Sequence, residues 1–429
     1  MGTDYSAWGK DALKFTNCVS STTLPCSELS KFPIGYLANS FLIDFLSAYG
    51  FETEKSFVLI NLFFLSLPVL FLYIIKKPKV AIIATITYIA CLLFTPISSF
   101  YIYSGGLEIQ AGVLIGLFLS SLILYFESKQ TVKSSYVFII LYISALLFPL
   151  YKDVILITVV LSLFFSLFIY FYFIKKSKIK DSFTITTPLF LVAFFLLFSF
   201  GVSLSYNYFK YQNLAPLAYI HEASISSPTK IKSFEFLIAS FFSPNGGILA
   251  FWFSSFIVCY LLNHINKQSF SILTLLTSAF LFTGTVIGLS LWWAPFGWDS
   301  WGNRLMVPTM LGILIALITT ANSQNSLNTG ICTSTPKATK NHIHTYKFTI
   351  KLMTMLVFIF SLHYVLVSYY SDKSKLLRES LLNHPSCLEM MEVLKSGGQD
   401  QGYAFWRSNY YYTCARDRFL HIPTFWKQF

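Results

Sequence analysis

"DVILITVVLSLFFSLFIYFYFIKKSKIK", residues 153–180, decides the fold class. Residues 154–174 contain no charge, and four lysines follow within the next six positions. Crossing the hydrocarbon core of a bilayer takes about 20 apolar residues. A lysine cluster directly after such a run stays on the cytoplasmic side. This stretch therefore reads as a transmembrane helix with its C-terminal end inside.

The same pattern recurs outward in both directions. Apolar runs stand at about 57–75, 80–98, 109–126, 136–150, 154–174, 184–206, 246–263, 270–290, 305–320 and 348–368. Residues 35–48, "GYLANSFLIDFLSA", are too short and too polar to span and read as a helix lying at the interface. The composition agrees: of 429 residues, 55% are hydrophobic and only 12% charged, against about a quarter charged in soluble domains. The expected fold is an all-α polytopic membrane protein of about ten transmembrane helices plus an interfacial helix. Residues 1–56 form an outward N-terminal loop with that helix, 57–368 the transmembrane domain, and 369–429 a small outward C-terminal segment.

The net charge of +12 does not imply a nucleic-acid partner, because the lysines cluster in short loops between apolar runs. "KKPK" (76–79), Lys129, Lys133, "KKSKIK", Lys267, Lys337, Lys340 and Lys347 fall on one side, which is therefore cytoplasmic. Residues 1–34, 99–108, 207–245, 291–304 and 369–429 then face outward. An outward N-terminus needs something to carry it across, and "MGTDYSAWGKDALKFTN" has no apolar signal region. A preceding helix is the simplest expectation. Four cysteines lie in outward segments, Cys18 with Cys26 and Cys387 with Cys414. Two local pairs on an oxidising face are what disulfides look like, although chance grouping would read the same. No cysteine or histidine cluster has metal-ligand spacing.

Polar groups near membrane depth are costly, so those at outward helix ends carry most information. "GTDYSAWGKDAL" (2–13) sets Asp4 beside Tyr5 and Trp8, as a general base or as a solvated loop carboxylate. "YSGGLEIQAG" (103–112) sets Glu108 in the first turn of a span, where the helix dipole alone also favours it. "FPLYKDVIL" (148–156) puts Lys152 and Asp153 in a turn with almost no loop, where Lys152 either snorkels or meets lipid phosphates. "FFSPNGGILAFW" (241–252) leads from Ser243 and Asn245 into a helix N-terminus, an anion-binding element that turn chemistry also explains. "APFGWDSWGNRLMVP" (294–308) surrounds Trp298, Asp299, Asn303 and Arg304 with tryptophans. An interfacial aromatic belt would explain the tryptophans, but it does not require Gly-Asn-Arg followed by Pro308. Arginine offers a planar fork of donors suited to phosphate.

In their serial order, these features resemble the GT-C superfamily of polytopic glycosyltransferases, especially bacterial relatives of protein mannosyltransferases. The resemblance rests on the acidic residue with a nearby tyrosine (Asp4, Tyr5), "KFPIGYL" (31–37), Glu108, Lys152, "SPNGGIL", and "GWDSWGNRLMVPTML" (297–311), which has Asn303 where the family has proline. It covers most of residues 4–310, with short, degenerate motifs. It implies a GT-C-like fold and inverting transfer of a sugar from a polyprenyl-phosphate donor to a lipid, glycan or protein acceptor. The place implied is the extracytoplasmic face of a bacterial inner membrane, in assembly of the cell envelope and its polysaccharides. Lys152 and Arg304 would bind the donor phosphate, and Asp4 would be the catalytic base. Glu108 would hold the acceptor or assist, and Tyr5, Ser243, Asn245, Trp298, Asp299 and Asn303 would line the substrate pocket. No cofactor is required, and a divalent metal bridging Asp4 and Glu108 is compatible with oxygen ligands. Two other classes stay open. A flippase or transporter of lipid-linked saccharides would place polar, broken-helix elements near the midplane. A polysaccharide polymerase or ligase would use an outer segment such as "YYYTCARDRFLHIP" (410–423).

Overall fold

The structure is a computed structural model that describes residues 8–21, 24–99, 101–103, 105–127, 134–174, 187–217, 220, 230–242, 247–266, 268–292 and 303–323. The apolar run at 348–368, the C-terminal segment 369–429 and the Cys387–Cys414 pairing lie outside the described residues. So do Asp4, Tyr5, Ser243, Asn245, Trp298 and Asp299.

Twelve helices of eleven residues or more stand in the described chain. They are α1 (Asp11–Ser21), α2 (Ile34–Ala48), α3 (Thr53–Ile75), α4 (Pro78–Leu93), α5 (Glu108–Glu127) and α6 (Ser134–Tyr151), then α7 (Leu156–Ile169), α8 (Thr187–Tyr211), α9 (Lys230–Phe242), α10 (Phe253–Ile265), α11 (Ile272–Ser290) and α12 (Val307–Thr320). A two-residue strand pair, Gln268–Ser269 with Asn322–Ser323, adds to them. Five segments are long and apolar enough to cross a bilayer: Thr53–Ile75, Glu108–Glu127, Asp153–Phe173, Pro188–Tyr211 and Ile272–Ser290. Shorter apolar helices accompany them. The chain is compatible with a multi-pass membrane protein.

Helix boundaries follow local chemistry. Pro78 and Pro308 sit in first turns, where a missing N–H costs nothing. Ser271 caps α11 by accepting the Thr274 amide at 3.3 Å. The α6 helix ends because Lys152 leaves helical geometry (φ −151°, ψ 75°), and a 3-10 turn over Asp153–Ile155 restarts the chain into α7.

The core is built on α5, which is buried continuously from Glu108 to Ile123. A helix apolar all round belongs inside a bundle. Its most extensive contact is with α12, buried from Val307 to Thr320. A β-carbon on Gly112 would stand 3.0 Å from Leu311 Cβ, one on Gly116 2.7 Å from Ile315 Cβ, and one on Gly312 2.9 Å from Ile115 Cγ2. The two helices therefore touch backbone to side chain along a stripe of glycines, as small residues permit within membranes. The α3 and α6 helices pack on the remainder of α5, and α8 on α6. The outer helices present Phe63, Leu70, Ile157, Phe164 and Leu197 to the surroundings, an apolar belt suited to lipid.

Gly116→Leu is expected to destabilise the bundle by about 1–3 kcal/mol, since overpacking a filled interface costs that much. The same change at Gly201, where a β-carbon meets nothing within 4 Å, should be silent. Thermal unfolding midpoints of the two variants in one detergent check this; equal midpoints would refute the close α5–α12 contact.

Several segments read as loops are helical. The N-terminal stretch contains α1, α8 continues to Tyr211, and α9 lies within 207–245. The first turn of α3 begins at Thr53, ahead of the boundary at 56, and the run at 246–263 is interrupted at Trp252. An isolated helix as short as α1 is marginal by itself. Tertiary contacts hold it: the Ala12 amide donates to Ser40 Oγ at 3.0 Å, and a disulfide joins Cys18 to Cys26 with α-carbons 6.0 Å apart.

Candidate functional site

Glu108 opens α5, Lys152 follows the last residue of α6, and Arg304 starts the 3-10 turn ahead of α12. These three elements come from distant parts of the sequence and meet at one end of the bundle. Glu108 Oε1 lies 3.4 Å from Arg304 Nε and 4.0 Å from Lys152 Nζ. The carboxylate is 2% exposed, while the cation side chains keep 17% and 19%. The glutamate is therefore the inner member and the cations the outer ones. Its oxygens accept no hydrogen bond among the described residues, so charge attraction holds it. Removing one partner from a buried ion pair costs several kcal/mol, because the other charge is left uncompensated.

Glycines let the surrounding backbone approach this site closely. A β-carbon on Gly106 would lie 1.8 Å from Glu108 Oε2, so the carboxylate folds back over the glycine. At Gly105 it would meet the Phe57 ring at 2.8 Å. Gly35 plays the same part in "KFPIGYL", where a β-carbon would stand 3.0 Å from both Leu107 and Tyr151. That glycine lets α2 start against the ends of α5 and α6, one residue from Glu108 and from Lys152. Tyr36 beside it stacks on Phe32 at 4.5 Å and meets the buried Trp8 edge-on at 5.4 Å.

Asn303 adopts a left-handed conformation, φ 54° and ψ 74°, and its carbonyl accepts the Met306 amide at 3.0 Å. Asparagine tolerates this region, whereas proline is held near φ −65°. The asparagine at this position therefore sets a backbone that the proline of the GT-C pattern could not follow. The Asn303 side chain is buried, and its amide has no hydrogen-bond partner among the described residues.

Two further buried polar networks involve residues that no sequence motif marks. Asn39 donates to Gln110 Oε1 at 3.0 Å, Gln110 to Asn61 Oδ1 at 3.4 Å, and Asn61 to the Ile102 carbonyl at 3.0 Å. This amide chain ties α2, α3, α5 and the 101–103 turn together just behind Glu108. Polar side chains inside apolar spans were the available signal. In the second group, Asp11 accepts the Ser30 amide at 3.1 Å and the Ser30 hydroxyl. Buried Lys210 donates to the Phe32 carbonyl at 3.0 Å and the Ser30 carbonyl at 3.3 Å. Burial pushes the Asp11 carboxyl above its ordinary range, against the Ser30 hydrogen bonds and the Lys14 and Lys210 charges, which pull it down. Lys210 is also attracted by Asp153, which adjoins Lys152. Charges of alternating sign thus run from Arg304 to Asp11.

The other end of the bundle carries a different set of contacts. Lys76 Nζ donates to the Ala321 carbonyl at 2.5 Å, and Ser271 bonds Glu127. Lys76 and the Glu108 site thus stand at opposite ends.

No three His, Cys, Asp or Glu side chains gather as a metal site would require among the described residues. Glu108 is already faced by two cations, so a divalent cation bound there would be repelled by both. Asp4, the other expected ligand of a bridging metal, lies outside the described residues. No family model, no curated protein and no solved structure matches this chain.

Proposed function

We propose that the chain is a polytopic membrane glycosyltransferase of the GT-C type, moving a sugar from a polyprenyl-phosphate donor to an acceptor. In this reading it has about ten spans, with α2 at the interface. The site faces the extracytoplasmic side of a bacterial inner membrane. The observation that carries the reading is the convergence of Glu108, Lys152 and Arg304 within 4.0 Å at one end of an apolar bundle. Charged side chains at that depth mark functional sites, and two partly accessible cations suit a phosphate headgroup.

Transfer makes a bond from the acceptor oxygen to the anomeric carbon and breaks the bond from that carbon to phosphate oxygen. The electron pair stays on the phosphate, where Lys152 and Arg304 hold the growing charge. The acceptor proton passes to a base, the part given to Asp4. The place of Glu108 against both cations supports a role in positioning them. The direct test supplies purified protein with a panel of polyprenyl-phosphate sugars and measures transfer. Absence of transfer from every donor, with the protein folded, would sink the reading.

Gly106→Ala probes the same site without touching a charge. The added methyl displaces the Glu108 carboxylate, and with it the cations. Misplacement by about 1 Å costs roughly 10²-fold in rate. A variant with unchanged transfer would show that the carboxylate's position is immaterial.

A further inference from the structure

Asn303 breaks two rules of local structure at one position. Its side chain is 1% exposed, yet neither the amide oxygen nor the amide nitrogen has a hydrogen-bond partner among the described residues. Most buried polar side chains are bonded, and one left unpaired has lost its bonds to water without replacement. The backbone is left-handed as well, at φ 54°. Gln212 shares that conformation, but it is exposed. Departures of this kind inside a fold concentrate where a ligand supplies the missing contact. The residue that follows is Arg304, whose Nε lies 3.4 Å from Glu108 Oε1.

The two unmet atoms specify the chemistry of the ligand. Oδ1 needs a donor, and Nδ2 needs an acceptor. A phosphate oxygen would satisfy the nitrogen alone, and an ammonium the oxygen alone. Two adjacent hydroxyls satisfy both, since each can donate and accept. We propose that Asn303 reads a vicinal diol of the donor sugar, one hydroxyl donating to Oδ1 and its neighbour accepting from Nδ2. The inference rests on the sugar-transfer reading above and narrows it to a class of sugar. A phosphate held by Arg304 brings the anomeric carbon beside residue 303, and the hydroxyls nearest that carbon are those on carbons 2 and 3. The donor is then a sugar with both hydroxyls free, rather than a 2-deoxy or 2-acetamido sugar. The amide is covered in the free protein, so the sugar ring takes the place of that cover on binding. Being already out of water, the amide needs no further desolvation when the hydroxyls reach it. Asn303 is a specificity-determining residue and takes no part in bond making.

The test compares kcat/KM of the purified full chain and of Asn303→Gly. The donors are polyprenyl-phosphate esters of glucose, mannose and galactose, with their 2-deoxy, 3-deoxy and 2-acetamido forms. In the native protein, loss or replacement of either hydroxyl should lower kcat/KM by about 10- to 100-fold, because an amide atom is left unmet. Glycine removes the amide and keeps the left-handed backbone without strain. In Asn303→Gly the parent and altered donors should therefore be used within about threefold of one another. Its thermal midpoint should stay within about 3 °C of the native one, since losing an unpaired amide offsets the entropy cost of glycine. A native protein indifferent to both hydroxyls, or a preference that survives Asn303→Gly, would overturn the inference while leaving sugar transfer in place. So would a variant that fails to fold or loses more than about 10 °C, because the amide would then be a bonded part of the fold. If the native protein transfers none of these sugars, the glycosyltransferase reading fails and the inference fails with it.

Discussion

Arg304→Met is expected to lower sugar transfer by about 10²–10³-fold, the usual effect of removing one preset group that stabilises transition-state charge. Arg304 Nε stands 3.4 Å from Glu108 Oε1, so the change also leaves a 2%-exposed carboxylate with Lys152 alone at 4.0 Å. Destabilisation by about 3–5 kcal/mol should accompany the loss of activity. The double variant Arg304→Met with Glu108→Gln separates the two effects. Stability should largely return, because the buried carboxylate of Glu108 is gone, while transfer stays low because the phosphate clamp is still missing. Thermal unfolding read beside a transfer assay checks both halves. If activity returned together with stability, Arg304 would be a structural ion-pair member and no phosphate ligand.

Asp4→Asn should reduce transfer by about 10²–10⁴-fold, the range for loss of a general base. The acceptor hydroxyl is a poor nucleophile until its proton is taken, whereas the phosphate leaving group needs no acid. Binding of the donor lipid should therefore be unchanged, which distinguishes this variant from Arg304→Met. Retention of more than about a tenth of the native rate would remove Asp4 from the role and turn attention to Asp11. Asp11 is already occupied by two bonds from Ser30, which makes it the weaker choice.

The charged members of the candidate site could be read because each interrupts an apolar run at its end, where a charge is expensive enough to need a reason. Their meeting was not legible. It depends on which helix packs against α5, and that in turn rests on Gly112, Gly116 and Gly312 admitting α12. Those glycines look alike in sequence to Gly201, which faces open space. Asp11 stood in plain view seven residues after Asp4, yet it is held by Ser30, whose carbonyl in turn accepts from Lys210 on the end of α8. Nothing local to residue 11 encodes either contact.

Sequence alone determined that the chain is helical, apolar and compatible with several membrane passes, because hydropathy acts through each segment's own contact with its surroundings. It also marked Glu108, Lys152 and Arg304 as groups needing explanation. Only the tertiary structure decided that the three share one site, that the glutamate lies inside and the cations outside, and that Asn303 turns left-handed before α12. Burial order and charge balance belong to the packed bundle, since they arise between segments that meet only after the helices have docked.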